Sequence, residues 1–150
     1  MNVRHPANEL ALQYLSSERF DVPVFMAREL HPDPYLRAGC HPDIVERIWD
    51  QIGPAHPFDC RCLIYGFPAL AIPVNGIIIG LGLGTQYGLR LPGQMGGQAI
   101  GAGAQTITKW GAGQVMDIRE AIGPEWLFGC WKEEELDWCK LTIEQLKSAA

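Results

Sequence analysis

Four groups of residues in this 150-residue chain have the types and spacing to do chemistry. The first is Cys40-His41 with Asp43, near in sequence to His31 and His56. An imidazole that reaches a thiol turns it into a nucleophilic thiolate, and thiolate, imidazole and carboxylate are all metal ligands. Both uses require the groups to meet across the fold, which adjacency in sequence does not provide. His5, His31, His41 and His56 also share a plainer property, since each directly precedes a proline. Proline pushes the residue before it to extended backbone, so His41 reads as an N-cap ahead of Pro42 at the first helical position.

The second group is Gly80-x-Gly82-x-Gly84. Dinucleotide-binding glycines follow a strand, open a helix and are spaced G-x-G-x-x-G. Here they alternate with leucines and run on into Thr-Gln-Tyr-Gly-Leu-Arg-Leu, which continues as strand. Glycine on one sheet face lets a helix or a hairpin bend come close. The functional alternative is a ligand lying flat on that smooth face, held by Gln86 and Arg90.

Cys60-x-Cys62 is the third. On an extended strand this spacing puts both thiols on one face, with Ile64 next, yet does not bring two sulfurs easily onto one metal as Cys-x-x-Cys would. Buried, inert thiols are the expectation, also for Cys130 and Cys139 beside Trp131 and Trp138. We expect no metal, no cofactor and no disulfide.

The fourth group lies in the last third, where four of the five Trp fall between residues 110 and 138 together with Glu133-Glu134-Glu135 and Asp137. Tryptophan is a frequent anchor in protein interfaces, and an acidic rim steers basic partners. These residues can equally fill a core and solvate a helix N-terminus, where negative charge is favoured by the dipole. As an interface the group comprises Trp131, Glu133, Glu134, Glu135 and Trp138, with one or both indoles exposed beside negative potential.

The elements that position these groups follow from periodicity. Between Gly80 and Leu91 apolar residues hold the odd positions, the period-two pattern of strands with one buried face. Asn75-Gly76 and Gly66-Phe67-Pro68 supply turns, so residues 60–92 read as an antiparallel meander of three or four strands. Val22 to Met26 reads as an edge strand against it.

Pro6 opens a short helix over residues 6–17 with Leu10, Ala11, Tyr14 and Leu15 on one face. From Pro42 the apolar set Ile44, Val45, Ile48, Trp49 and Ile52 predicts a helix to residue 52, stopped by Gly53-Pro54 and covering one sheet face. A glycine-rich helix follows Pro92, then a strand from Gln105 to Trp110. Asp117 and Glu120 cap a helical turn ending at Gly123-Pro124. Trp126 to Trp131 reads as a last strand, and residues 132–139 and 142–147 as two helical pieces, the second opened by Thr142-x-x-Gln145.

Composition narrows the function classes. The formal net charge is -5 and the 12 Lys and Arg are scattered singly, so the basic footprint that nucleic acid requires is missing. No apolar stretch approaches the roughly 20 residues of a membrane helix. Without an export signal, and with five cysteines at irregular spacings, the chain fits a reducing cytoplasm. We therefore expect one α+β domain over residues 1–150, mostly antiparallel. Its expected function is a non-enzymatic intracellular binding module for a protein with a basic surface, an inhibitor or immunity-type antagonist. The alternative is a small enzyme or small-ligand-binding protein using a cleft near Cys40, His41, Asp43 and Arg90.

Overall fold

The computed structural model describes residues 2–18, 25–26, 40–56, 58–110 and 114–149. In chain order these form α1 (Glu9–Glu18), β1 (Phe25–Met26), α2 (Pro42–Glu46), β2 (Arg61–Ile64), β3 (Phe67–Ala71), β4 (Ile78–Leu83), β5 (Gln86–Arg90), α3 (Gln94–Gly101), β6 (Ile107–Trp110), β7 (Gln114–Asp117), α4 (Ile118–Ala121), β8 (Trp126–Phe128) and α5 (Glu134–Leu146). The described strands make an antiparallel sheet of order β1-β2-β3-β4-β5-β8 and a separate β6-β7 hairpin. This is the α+β class, with the expected meander at its centre. β1 pairs with β2 as expected of an edge strand; Val22 to Val24 and His31 lie outside the described residues.

A two-residue turn decides which way the central side chains face. Gly84, at φ 74°, leads the tight connection from β4 to β5, a left-handed conformation that glycine adopts without steric cost. The register pairs Leu83 with Gln86, Gly82 with Tyr87, Leu81 with Gly88 and Gly80 with Leu89. Directly opposed residues share a face, so the turn exchanges the odd and even sets. Leu81 and Leu83 join one core, Tyr87, Leu89 and Leu91 the other. Each strand glycine of the hairpin, Gly80, Gly82 and Gly88, thereby stands opposite a large side chain.

The expectation of a single buried face is corrected, because every residue of β3 and β4 is buried. The first face carries Leu63, Leu70, Tyr87, Leu89 and Leu127 under the segment 42–52, α3 and α5. The second carries Ile64, Phe67, Leu81, Leu83 and Trp126 under α1 and α4. Glycine makes the close approach possible on both sides: a Cβ on Gly82 would press on Cys40 and Ile44, and one on Gly88 would come 2.6 Å from Ile118.

Local signals place the helices. The His41 Nδ1 accepts the Asp43 N–H at 3.1 Å, with Pro42 at the first position, and the His41 N–H reaches the Gly84 carbonyl at 3.0 Å. Five residues on, the helix widens into a π-helical stretch, Arg47–Ile52, and closes with a 3-10 turn at Gly53–Ala55. The sequence predicts one uniform α-helix there. In the widened turn Arg47 is buried alongside Ile48, Trp49 and Ile52, and the Trp49 indole donates to the Ala69 carbonyl at 3.1 Å.

Three smaller expectations change. Residues 134–146 form one helix instead of two pieces; the Thr142 hydroxyl donates to the Trp138 and Arg90 carbonyls, 3.0 Å each, and caps nothing. The last strand stops at Phe128. On α1, Ala11 and Leu15 are buried while Leu10 is exposed.

Candidate functional site

Beyond β8 the chain leaves the sheet at Gly129, where a Cβ would overlap the Tyr87 ring, and turns through Trp131 into α5. Trp131 has φ 60°, the left-handed region that costs a bulky L-residue roughly 1–2 kcal/mol. Such strain persists only where the surroundings over-determine it, and here they do.

Beneath Trp131 lies a buried ion pair. The Arg47 Nη2 donates to Glu135 Oε2 at 2.6 Å, with both side chains over 90% buried. Arg47 also donates to Gln51 Oε1 at 2.9 Å and to the Lys132 carbonyl at 3.0 Å. The Tyr87 hydroxyl donates to the same Glu135 oxygen at 2.6 Å and accepts the Trp131 N–H at 2.9 Å. The other Glu135 oxygen accepts the Cys130 N–H at 2.6 Å.

The charges sit in a setting that sustains them. Burial opposes the Arg47 charge, but hydrogen bonds to Glu135 and Tyr87 outweigh it and its pKa is raised. Burial, followed by the Glu135 carboxylate, pushes the Tyr87 hydroxyl well above its ordinary range, so it stays protonated as a donor. Above the pair, the Arg47 guanidinium lies 5.5 Å from the Trp131 ring centre, and Tyr87 meets Trp131 edge-on at 5.0 Å. Trp131 nevertheless remains 50% exposed.

The acidic group divides accordingly. Glu133, Glu134 and Asp137 are exposed and follow Trp131 within six residues of sequence, whereas Glu135 is fully buried and serves the ion pair instead of a rim. Trp138 is buried in the first core. Of the two indoles considered as interface anchors, Trp131 alone faces out.

The remaining candidates do not form one cleft. Cys40, His41 and Asp43 cluster at the start of α2, with His41 Nδ1 3.8 Å from Asp43 Oδ2, both side chains largely exposed. Cys40 packs toward Gly82 on the first face. Arg90 lies on the second face over Trp126, so the cleft expected between it and Cys40 is replaced by two sites separated by the sheet. Gln86 and Arg90 do share a face of β5, but Gly88 between them is covered by Ile118 and Trp126, and the smooth glycine surface is not open.

Cys60 and Cys62 belong to different cores instead of one strand face, Cys60 preceding β2. Burial raises both thiols to about 12, as it does Cys139, which makes them poor nucleophiles. Among the described residues no disulfide joins any of the five cysteines. Among the described residues no three or more His, Cys, Asp or Glu are grouped to hold a metal, and no helix is long and apolar enough to cross a membrane.

No family model, no curated protein and no solved structure matches the chain. Function must be argued from the geometry.

Two features escape sequence reading. His56 is buried, neither ring nitrogen has a hydrogen-bond partner among the described residues, and burial, helped by Lys140, lowers its pKa to about 4. Nothing in His56-Pro57 distinguishes it from the other His-Pro pairs. Phe58 and Val74 are strongly exposed at an apolar groove of about 520 Å³ that also takes in Ile72, Pro73 and Ile143. Phe58 and Val74 are fifteen or more residues apart, so only the fold makes them one surface.

Proposed function

We propose that this chain is a non-enzymatic binding module that recognises a basic surface on another protein, acting as an inhibitor or immunity-type antagonist. Trp131 is the anchor, and Glu133, Glu134 and Asp137 form the rim. One observation carries the reading: a half-exposed indole is held in a left-handed backbone conformation by the buried Arg47–Tyr87–Glu135 network. An aromatic side chain locked before its partner arrives loses little freedom on binding, and this lowers the entropic cost of association. Exposed carboxylates beside it raise the rate of encounter with a cationic surface and disfavour acidic ones.

Affinity capture from the native host with the wild-type chain, Trp131→Ala and Glu134→Ala tests the proposal. The expected result is a captured protein with a basic face, lost with Trp131→Ala and held more weakly, with a shallower salt dependence, by Glu134→Ala. Capture that survives Trp131→Ala and disappears with Phe58→Ser would move the interface to the apolar groove. Turnover or ligand heat that vanishes with His41→Ala would favour the small enzyme or ligand-binding reading instead.

A further inference from the structure

On the second face of the sheet, away from Trp131, four polar side chains line a pocket of about 300 Å³. Arg90 on β5, Glu125 just before β8 and Trp126 at its first position form the inner part, and the exposed Glu9 of α1 lies at the outside; Leu10, Ile122 and Pro124 supply apolar wall. Arg90 is 5% exposed. Its Nε donates to the Ile78 carbonyl at 2.6 Å, and its Nη2 reaches the Ala7 carbonyl at 3.2 Å and Asn8 Oδ1 at 3.3 Å. Its Nη1 faces Glu125 Oε2 at 3.8 Å, an ionic contact beyond hydrogen-bond reach.

Trp126 is 1% exposed and its indole N–H has no acceptor among the described residues; Glu125 Oε2, buried at the same pocket, has no donor. Buried polar groups are almost always paired, and each exception calls for a reason. One donor and one acceptor are thus unpaired at the same pocket, beside an Arg90 Nη1 whose contact with Glu125 is ionic only. A simple anion would satisfy Arg90 and Trp126 but crowd the Glu125 carboxylate. A simple cation would satisfy Glu125 but meet the Arg90 guanidinium. A molecule carrying both charges meets all three groups.

We propose that this pocket binds a small zwitterion of the α-amino acid class. Its carboxylate accepts from Arg90 Nη1 and Trp126 Nε1, its ammonium donates to Glu125 Oε2, and an apolar side chain lies against Leu10, Ile122 and Pro124. Glu125, with its side chain 43% exposed, is the outer wall and the group that shifts to admit the ligand. In this proposal Arg90 binds without Gln86, and toward the N-terminal segment instead of the glycine face. This inference is independent of the Trp131 surface.

The indole N–H resonance of Trp126, assigned with Trp126→Phe in ¹⁵N-labelled protein, is the reporter. L-alanine, L-valine and L-leucine are titrated separately, with propionate and propylamine as single-charge controls. At least one amino acid is expected to shift the Trp126 signal saturably, with the controls weaker by about tenfold or more, the consequence of losing one charge-assisted hydrogen bond. Glu125→Gln, at a half-exposed position that the fold tolerates, is expected to weaken the amino acid by a similar factor while the other indole signals stay in place. A Trp126 signal unmoved by all three amino acids would mean water is the sole occupant and would overturn the proposal. Propionate binding as tightly as the amino acids, or an unchanged affinity in Glu125→Gln, would overturn it as well.

Discussion

The Tyr87 hydroxyl accepts the Trp131 backbone N–H at 2.9 Å while the two rings meet edge-on at 5.0 Å. One buried side chain thus fixes both the backbone and the ring of the residue proposed as anchor. The same hydroxyl donates to Glu135, so the surface feature and the buried ion pair stand or fall together.

Removing that hydroxyl is the direct test of the coupling. Tyr87→Phe leaves the Trp131 N–H without its acceptor and Glu135 without one donor, and an orphaned buried group costs about 1–3 kcal/mol. Urea unfolding should show a loss in that range. Fluorescence anisotropy of a variant retaining Trp131 as its reporter should fall, because the indole gains freedom. An unchanged anisotropy would mean that Tyr87 does not hold Trp131.

Strain at Trp131 predicts an inverted ranking of two truncations. At φ 60° glycine escapes the clash that alanine keeps, and the difference is roughly 1 kcal/mol. Trp131→Gly is expected to be more stable than Trp131→Ala by about that amount, although both remove the same indole. At an ordinary backbone conformation the order would be reversed.

His56 makes the fold acid-sensitive. Its folded pKa is about 4 against an ordinary value of 6.5, so between those values the unfolded chain binds a proton that the folded chain refuses. Stability therefore rises with pH across this window, and is lost as pH falls from about 6.5 to about 4, by roughly 3 kcal/mol in total. The pH dependence of the denaturation midpoint measures it, and His56→Leu should flatten the slope between pH 6.5 and 4. A slope identical in the variant would assign the effect to other groups.

Two glycines test the packing of the sheet. A Cβ at Gly97, on the exposed side of α3, meets nothing within 4 Å, and Gly97→Ala should stabilise by about 0.5–1 kcal/mol through helix propensity. A Cβ at Gly88 would come 2.6 Å from Ile118, so Gly88→Ala should destabilise by about 1–3 kcal/mol. Thermal melts of the two variants should move in opposite directions.

What the sequence determined by itself was the local part of this structure. Proline after His41, the turn at Asn75-Gly76, Asp117 ahead of Ile118 and the period-two run are signals whose physics acts within a few residues, and helix starts and antiparallel class follow from them. Tertiary structure decided everything that depends on which elements meet. The strict alternation from Gly80 to Leu91 has one reading as a string and another once a two-residue turn exchanges the faces, because pairing, not parity, sets the side of a sheet. Glu133, Glu134 and Glu135 are chemically alike, yet Glu135 alone is drawn inside, since Arg47 and Tyr87 arrive there from elements 88 and 48 residues away. Trp131 and Trp138 differ in exposure for the same reason: one sits on that network before α5 begins, the other on the buried side of the helix. Arg90, Glu125 and Trp126 share a pocket only because β5 and β8 pair with Arg90 opposite Trp126, a contact between distant residues that no local pattern encodes.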